Sequence, residues 1–154
     1  MLTSHYTKEI LKHQGVNVKN IKETEETIEI YIEKPRDRHT CPVCGRTTEK
    51  IHDYREQVIK ELPAFGKKVY LILRKRRYRC ECGKRFYEET EIVARYQRMT
   101  AKYILTMLNK LHETYSYSSV AREFDVSTTT VIRYFNKIQY NKPKELPEAI
   151  GIDE

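Results

Sequence analysis

Four cysteines lie in two close pairs, and thiolates at such spacings are typical ligands of zinc. Two residues separate Cys41 from Cys44, one residue separates Cys80 from Cys82, and a glycine follows each pair. Glycine lets the backbone turn sharply, so that both sulfurs of a pair can face one ion. Four thiolates fill a tetrahedral shell and leave no position for a substrate. The sequence therefore predicts structural Zn²⁺ rather than catalytic Zn²⁺.

Other roles for these cysteines are less favoured than zinc binding, and the sequence leaves one alternative set of zinc ligands. Two clustered pairs are unusual for cysteines that serve only as small buried apolar residues. A redox Cys-x-x-Cys is disfavoured, because the flanks of Cys41 and Cys44 lack a strand-to-helix pattern of the thioredoxin kind. The sequence is also compatible with replacement of one cysteine ligand by His39 or His52.

Residues 117–138 have the residue types and spacing of a helix-turn-helix, with helices predicted at 117–124 and 127–138. Ala121 is a small residue at the point where the two helices would cross. Asp125 lies in the turn, where a residue that tolerates positive φ is needed, and Ser127 can cap the second helix. The apolar residues spaced to wedge the helices together are Val120, Phe124, Val126, Val131 and Tyr134.

The second of these helices carries polar side chains that could read base edges in the major groove of DNA. Threonine can contact a base or a thymine methyl group, arginine can bind guanine, and asparagine can bind adenine. An ordinary helical hairpin with solvated polar residues is the alternative. The predicted DNA contacts from this region are Ser127, Thr128, Thr129, Thr130, Arg133, Asn136 and Lys137.

Most of the positive charge lies in one short segment. The chain has a net charge of +7, and residues 67–85 alone carry 9 basic and 1 acidic residue, or +8. Such concentration indicates a polyanionic partner. A solvated strand face is the alternative, and some of these cations could offset the negative charge of a four-thiolate zinc centre. The phosphate contacts predicted here are Lys67, Lys68, Arg74, Lys75, Arg76 and Arg77.

Alternating apolar and polar residues predict strands around the cysteines. A short helix over 4–13 precedes a hairpin of Val16–Lys22 and Thr27–Glu33, with an acidic tip at 23–26. Two further strands are expected at 50–62 and 67–79, joined near Pro63. The side chains expected to face the core are Ile28, Ile30, Ile32, Val69, Leu71 and Leu73.

The apolar period becomes helical from Thr100, whose hydroxyl can cap the start of the helix. One face of this helix is expected to carry Tyr103, Ile104, Met107, Leu108 and Leu111. We further expect Leu105, Leu108 and Leu111 to close a three-helix core with the helix-turn-helix.

These patterns predict an α+β chain, with a small β-rich zinc-binding module of four cysteine ligands followed by an all-α helix-turn-helix domain. The expected domains are 1–90, 91–141, and a linker with the first strand of a further domain at 142–154. No run of eighteen apolar residues and no signal peptide is visible, so a cytoplasmic location and no membrane contact are expected.

The order of these parts resembles the N-terminal part of the ISL-three family of insertion-sequence transposases. The resemblance spans roughly residues 15–154. It rests on the first cysteine pair, the Arg-Arg-Tyr-x-Cys motif at residues 76–80, the helix-turn-helix, and the segment 150–154. The family commonly has two residues between the second pair of cysteines, whereas this chain has one. The resemblance implies double-stranded DNA as partner and recognition of the terminal inverted repeats of a mobile element.

The resemblance also implies that Asp153 is the first carboxylate of an Asp/Asp/Glu triad in an RNase H-like catalytic domain. One carboxylate cannot hold the two metal ions of such a site, so we expect no catalysis from this chain, as an excised or truncated binding region. A homodimer is left open. The alternatives are a free-standing transcription regulator and a zinc-ribbon RNA-binding protein.

Overall fold

The computed structural model describes residues 15–113 and 115–138, which pack as two compact units divided between Leu105 and Thr106. The helix predicted at 4–13 and the segment 142–154, with Asp153, lie outside the described residues. No helix in the described part of the chain is long and apolar enough to cross a membrane.

A five-stranded sheet forms the body of the first unit. Its strands are β1 (Asn17–Glu23), β2 (Thr27–Glu33), β5 (Ile51–Ala64), β6 (Lys67–Arg79) and β7 (Arg85–Tyr87). The strand order is β1-β2-β6-β5, and β7 pairs with the end of β6. A separate two-stranded sheet consists of β3 (His39–Thr40) and β4 (Thr47–Thr48).

Both predicted hairpins are confirmed. β1 pairs antiparallel with β2, and β5 pairs antiparallel with β6 through a turn at Phe65 and Gly66, both of which have positive φ. Alternating side chains of β2 and β6 meet on one face of the sheet, as the apolar pattern predicts. The buried core on this face consists of Val16, Ile28, Ile30, Ile32, Ile59, Val69, Leu71, Leu73 and Val93.

The two hairpins join through a parallel pairing of β2 with β6, which places Ile30 beside Leu71. The chain between these strands, residues 34–66, contains β3, β4 and β5. Parallel neighbours require a long crossover, and here that crossover carries the first cysteine pair. The pairing therefore ties the predicted zinc module to the sheet.

The segment after β7 returns to the same sheet. The Glu88 backbone N–H donates to the Arg76 carbonyl oxygen at 3.0 Å, Val93 is buried in the core, and Met99 bridges to Lys60 on β5. These contacts place residues 88–100 in the first unit. The compact division consequently falls later in the chain than the domain boundary at 90/91 expected from the sequence.

Helices follow from Thr100. They are α1 (Ala101–Asn109), a 3-10 turn (Lys110–Glu113), α2 (Tyr117–Glu123) and α3 (Thr128–Phe135). The Thr100 hydroxyl accepts the Tyr103 N–H at 3.2 Å, which confirms the predicted cap. α3 ends at Phe135, earlier than the predicted end at residue 138, and Asn136 caps it.

The prediction that Leu105 helps to close a core is wrong, because its side chain is 60% exposed. Tyr103 and Met107 are buried on α1, and Leu105 lies midway between them along the helix. A residue two positions from each of two stacked neighbours points to the opposite side of a helix. Met107, with no exposed surface, takes the buried place instead.

Candidate metal centre and nucleic-acid interface

The first cysteine pair lies on a tight turn between β3 and β4. The Cys41 N–H donates to the Arg46 carbonyl oxygen at 2.8 Å, and the Gly45 N–H donates back to the Cys41 carbonyl oxygen at 3.0 Å. Gly45 has φ of 72°, a conformation that L side chains rarely adopt. The glycine thus closes the loop around the two sulfurs.

The second pair forms a similar turn between β6 and β7. The Cys80 N–H donates to the Lys84 carbonyl oxygen at 2.9 Å, and the Gly83 N–H donates to the Cys80 carbonyl oxygen at 3.0 Å. Gly83 has φ of 86°. One residue between Cys80 and Cys82 is therefore enough to turn both sulfurs towards the first pair.

The four sulfurs form one cluster, with all of them within 4.8 Å of one another. The Cys41 and Cys82 sulfurs are 3.7 Å apart, and the Cys44 and Cys80 sulfurs are 3.4 Å apart. Zinc–sulfur bonds of about 2.3 Å in a tetrahedron require sulfurs about 3.8 Å apart. The residues fit a tetrahedral Zn²⁺, which would be held by all four thiolates and would cross-link the two turns.

The environment of Cys41 favours the thiolate that a metal needs. Backbone hydrogen bonding from Cys44, assisted by Val43, lowers the pKa of the Cys41 thiol to about 6, against an opposing effect of burial. A neighbouring sulfur, that of Cys82, lowers it further. These hydrogen bonds therefore favour the thiolate form, which is the form that binds a metal.

The histidines considered as replacement ligands have other neighbours. The His39 ring lies 4.5 Å from the Tyr78 ring, and His52 Nε2 lies 3.8 Å from the Asp53 carboxylate. Glu81, which lies between Cys80 and Cys82 in the second turn, is 3.6 Å from Arg46 and 3.4 Å from Lys50. The described residues therefore present four sulfurs, rather than three and a histidine, to one point.

Arg76, predicted as a phosphate contact, lies inside the protein with a 7% exposed side chain. Its Nη1 donates to the Glu88 carboxylate at 3.2 Å and to the Lys34 carbonyl oxygen at 2.9 Å, and its Nη2 lies 3.7 Å from the Glu33 carboxylate. The assignment of Arg76 as a phosphate contact is therefore wrong, because its side chain is buried. Arg76 instead links β6 to the segment that follows β2 and to the segment that follows β7.

Several other cations of β6 also have partners within the protein. Lys67 binds the Glu23 carboxylate at 2.7 Å, and the Arg77 guanidinium lies 3.4 Å from the Asp53 carboxylate. Arg74 covers the Tyr54 ring at 3.9 Å. Lys68 is exposed and Lys75 is half-buried. Part of the positive charge of β6 is therefore neutralised within the protein. The six residues of β6 that were predicted to contact phosphate differ in how far they are exposed and paired.

The turn between α2 and α3 has the geometry that the sequence predicts. Ala121 is 4% exposed, and its carbonyl oxygen accepts the Val126 N–H at 3.0 Å. Asp125 has φ of 49°, in the left-handed region. The Ser127 hydroxyl accepts the Thr130 N–H at 3.2 Å and caps α3. The apolar residues buried around this turn are Val120, Phe124, Val131 and Tyr134, and Val126 is partly buried.

The polar side of α3 is exposed. Thr128, Thr129, Arg133, Asn136 and Lys137 all have exposed side chains.

Thr130 differs from them, because its hydroxyl lies 2.8 Å from the Ser127 hydroxyl and is engaged in the cap. Ile132, which we did not predict, is 37% exposed one turn from Thr129. Isoleucine is usually assigned to the core. The only sequence signal for an exposed Ile132 is its position three residues after Thr129, on the same side of the helix.

Two family models match the chain. One, described as the zinc-finger of transposase IS204/IS1001/IS1096/IS1165, matches residues 37–83. The other, described as the helix-turn-helix domain of transposase family ISL3, matches residues 88–139. The first range contains all four cysteines, and the second contains α1 to α3.

A curated relative is the transposase for insertion sequence element IS1001 of Bordetella parapertussis, which is 29% identical over 122 residues. The alignment covers 77% of this chain and 30% of the relative, so the chain spans less than a third of that protein's length. No solved structure matches the chain significantly. The two matched ranges and this relative support DNA binding by a region that is similar to the N-terminal zinc-ribbon and helix-turn-helix region of ISL3-family transposases.

Proposed function

We propose that this region binds double-stranded DNA in a sequence-specific manner at the terminal inverted repeats of a mobile element. The observation that carries the proposal is the capped α3 with its row of exposed polar side chains, held by a buried turn against α2. A helix presented in this way can enter the major groove with its N-terminal residues towards the base edges.

The exposed side chains of α3 have distinct roles in this proposal. Thr129 and Arg133 lie one turn apart on the same face, and Arg133 can donate two hydrogen bonds to one guanine. Ile132 adds an apolar group suited to a thymine methyl. Ser127 and Thr130 bind each other, so they serve mainly to fix the start of the helix.

Asn136 and Lys137 follow the last helical turn. In this proposal Asn136 binds an adenine and Lys137 binds a phosphate. The Lys137 ammonium lies 5.1 Å from the Tyr134 ring, which limits the positions it can take.

Zinc has a structural role in the proposal. All four ligand positions would be filled by thiolates, so the ion would cross-link the turn after β3 to the turn after β6 without binding a substrate. Lys68, Arg74 and Lys75 remain as proposed phosphate contacts of this unit: Lys68 and Arg74 are exposed, Lys75 is half-buried, and Arg74 lies 3.9 Å from the Glu33 carboxylate. Arg76 is excluded because it is buried, and Lys67 and Arg77 are bound internally.

The domain division also remains a proposal. We propose residues 1–90 as the zinc-binding module, residues 91–141 as a helix-turn-helix domain whose helices begin at Ala101 and whose residues 91–100 pack on the sheet, and residues 142–154 as the start of a further domain. The role of Asp153 as a carboxylate of that further domain belongs to the same proposal.

The test is selection of bound sequences from a pool of random DNA duplexes by the zinc-loaded chain. We expect one enriched motif that matches the ends of a neighbouring mobile element. Arg133→Ala should relax the preference at one base pair by about 1–3 kcal/mol and leave the other positions unchanged. Lys22→Ala, which removes an exposed cation from the sheet, is the matched control and should keep the full preference.

Other results would contradict the proposal. An Arg133→Ala protein with an unchanged motif would remove Arg133 from base reading. An enriched motif absent from mobile-element ends would favour a transcription regulator. No enrichment from DNA, together with tight binding of RNA, would favour the zinc-ribbon RNA-binding alternative.

A further inference from the structure

Two cations face each other directly on the first unit's sheet. Arg55 on β5 pairs in register with Lys75 on β6, on the same face as the core pair Ile59 and Leu71. Residues in such positions have Cβ atoms about 5 Å apart, and like charges there repel each other. Arg55 is exposed and Lys75 is half-buried, so the pair lies at the solvent-exposed edge of the buried core.

A strained turn places a third cation near this pair. The Gln97 N–H donates to the Ala94 carbonyl oxygen at 3.0 Å, which closes a turn with Arg95 and Tyr96 at its centre. Tyr96 has φ of 67° and is 84% exposed, and the Arg95 guanidinium lies 4.9 Å from its ring. Positive φ is costly for tyrosine, and such strain is concentrated at functional positions.

The turn is fixed to the sheet beside Arg55. The Gln57 side chain, two residues along β5 on the same face, donates to the Gln97 carbonyl oxygen at 2.7 Å. The Lys60 N–H donates to the Arg98 carbonyl oxygen at 2.9 Å. Two anchors on one strand therefore hold the turn in a defined position.

The three cations have no acidic partner among the residues that the structure describes. Burial lowers the pKa of Lys75, the charge of Glu88 opposes this effect, and the charge of Arg95 makes a smaller contribution that lowers the pKa again. Glu88 itself is bound to Arg76. Arg55, Lys75 and Arg95, hereafter the cationic cluster, thus form a site of uncompensated positive charge. Arg77, next on this face, differs because Asp53 neutralises it.

We propose that the cationic cluster binds phosphates of duplex DNA, with Tyr96 held outwards against the sugar-phosphate backbone. Arg55 and Arg95 are then DNA contacts outside both the helix-turn-helix and the basic strand nominated from the sequence. Bound phosphate would relieve the repulsion between Arg55 and Lys75. The proposal rests on DNA binding by this region, and it requires no base reading by the cluster.

The salt dependence of binding tests the proposal. We would measure the affinity of the full zinc-loaded chain for its selected duplex and for an unrelated duplex over a series of KCl concentrations. Arg55→Gln and Arg95→Gln should each reduce the slope of log affinity against log salt by about 0.9 on both duplexes, as expected for one lost phosphate contact. Thermal melting should stay equal to or above that of the unchanged protein, because a repulsion is removed.

Lys22→Gln is the matched control. Lys22 lies on the opposite face of the same sheet, over the Tyr31 ring, and its replacement should leave the slope unchanged. A double variant of Arg55 and Arg95 with an unchanged slope on both duplexes would overturn the proposal. A loss confined to the selected duplex, or to single-stranded RNA, would also overturn it.

These outcomes are separable from failure of the proposed function. If the selection from random duplexes yields no motif, sequence-specific recognition fails, while the unrelated duplex still tests the cluster. If a motif is found and the slopes do not change, only the cluster's role fails.

Discussion

Arg74 and Arg76 lie on the same strand and the same face of the sheet, yet their surroundings differ. The Arg74 side chain is 52% exposed, and that of Arg76 is 7% exposed among two carboxylates and two carbonyl oxygens. The same residue type is therefore exposed to solvent at one position and holds the fold together two residues later. The sequence alone does not distinguish the two residues, because both are arginines on the same face of one predicted strand.

The buried position of Arg76 gives a prediction for stability. Arg76→Ala leaves the Glu88 carboxylate buried, 1% exposed, without its main partner. We expect the free energy of unfolding to fall by about 3–5 kcal/mol. Arg74→Ala is the matched control and should change it by less than about 1 kcal/mol. Denaturant titration measures both values, and equal losses for the two variants would contradict this assignment of Arg76.

Single elements are decided by local signals more than by distant contacts. α3 begins where Ser127 accepts an N–H from Thr130, and α2 begins where Ser116 accepts an N–H from Ser119 at 3.2 Å. Both caps depend on residues three positions apart, which is why a sequence can predict them. The end of α3 was harder to predict, because nothing in the polar run after Phe135 stops a helix.

The cap of α3 gives a second prediction. Ser127→Ala removes the side-chain acceptor of the Thr130 N–H, and should lower the free energy of unfolding by about 1 kcal/mol. Thr128→Ala, which changes a neighbouring exposed threonine, should leave the stability nearly unchanged. Denaturant titration followed by helical circular dichroism measures the difference. A Ser127→Ala protein as stable as the unchanged one would show that the hydroxyl is not the cap.

At the scale of the whole molecule, the sulfur cluster connects parts of the chain that are far apart in sequence. Cys41 follows β3, whereas Cys82 lies beyond the end of β6. Four thiols held near one point without an ion would expose reactive sulfur and lose the cross-link. The first unit is therefore expected to depend on metal far more than the helices do.

Metal removal gives the corresponding prediction. A chelator should lower the melting temperature and the β-sheet circular dichroism signal, while the helical signal changes less. Added Zn²⁺ should restore both properties. A protein made with Cys41→Ser should show the low melting temperature without chelator. Removal of zinc with no change in the melting curve would contradict the structural role.

Much of this protein was predictable because its signals are local. The two hairpins, the caps at Thr100 and Ser127, and the positive φ of Asp125 all follow from residues within a few positions of each other. Alternation predicts the core residues of β2 and β6, since successive side chains of a strand point to opposite faces. The cysteine spacings likewise predict the four sulfurs that the structure brings together.

Other features needed the tertiary structure, because they depend on which distant segments meet. The parallel pairing of β2 with β6 is not encoded in the alternation of either strand. That pairing and the return of residues 88–100 bury Arg76 and bring Arg95 to the Arg55–Lys75 pair. The sequence by itself determined the longer strands, the helices, the clustered cysteines and the overall charge. Only tertiary packing decided which cations are neutralised inside the protein and which remain without an acidic partner at its surface.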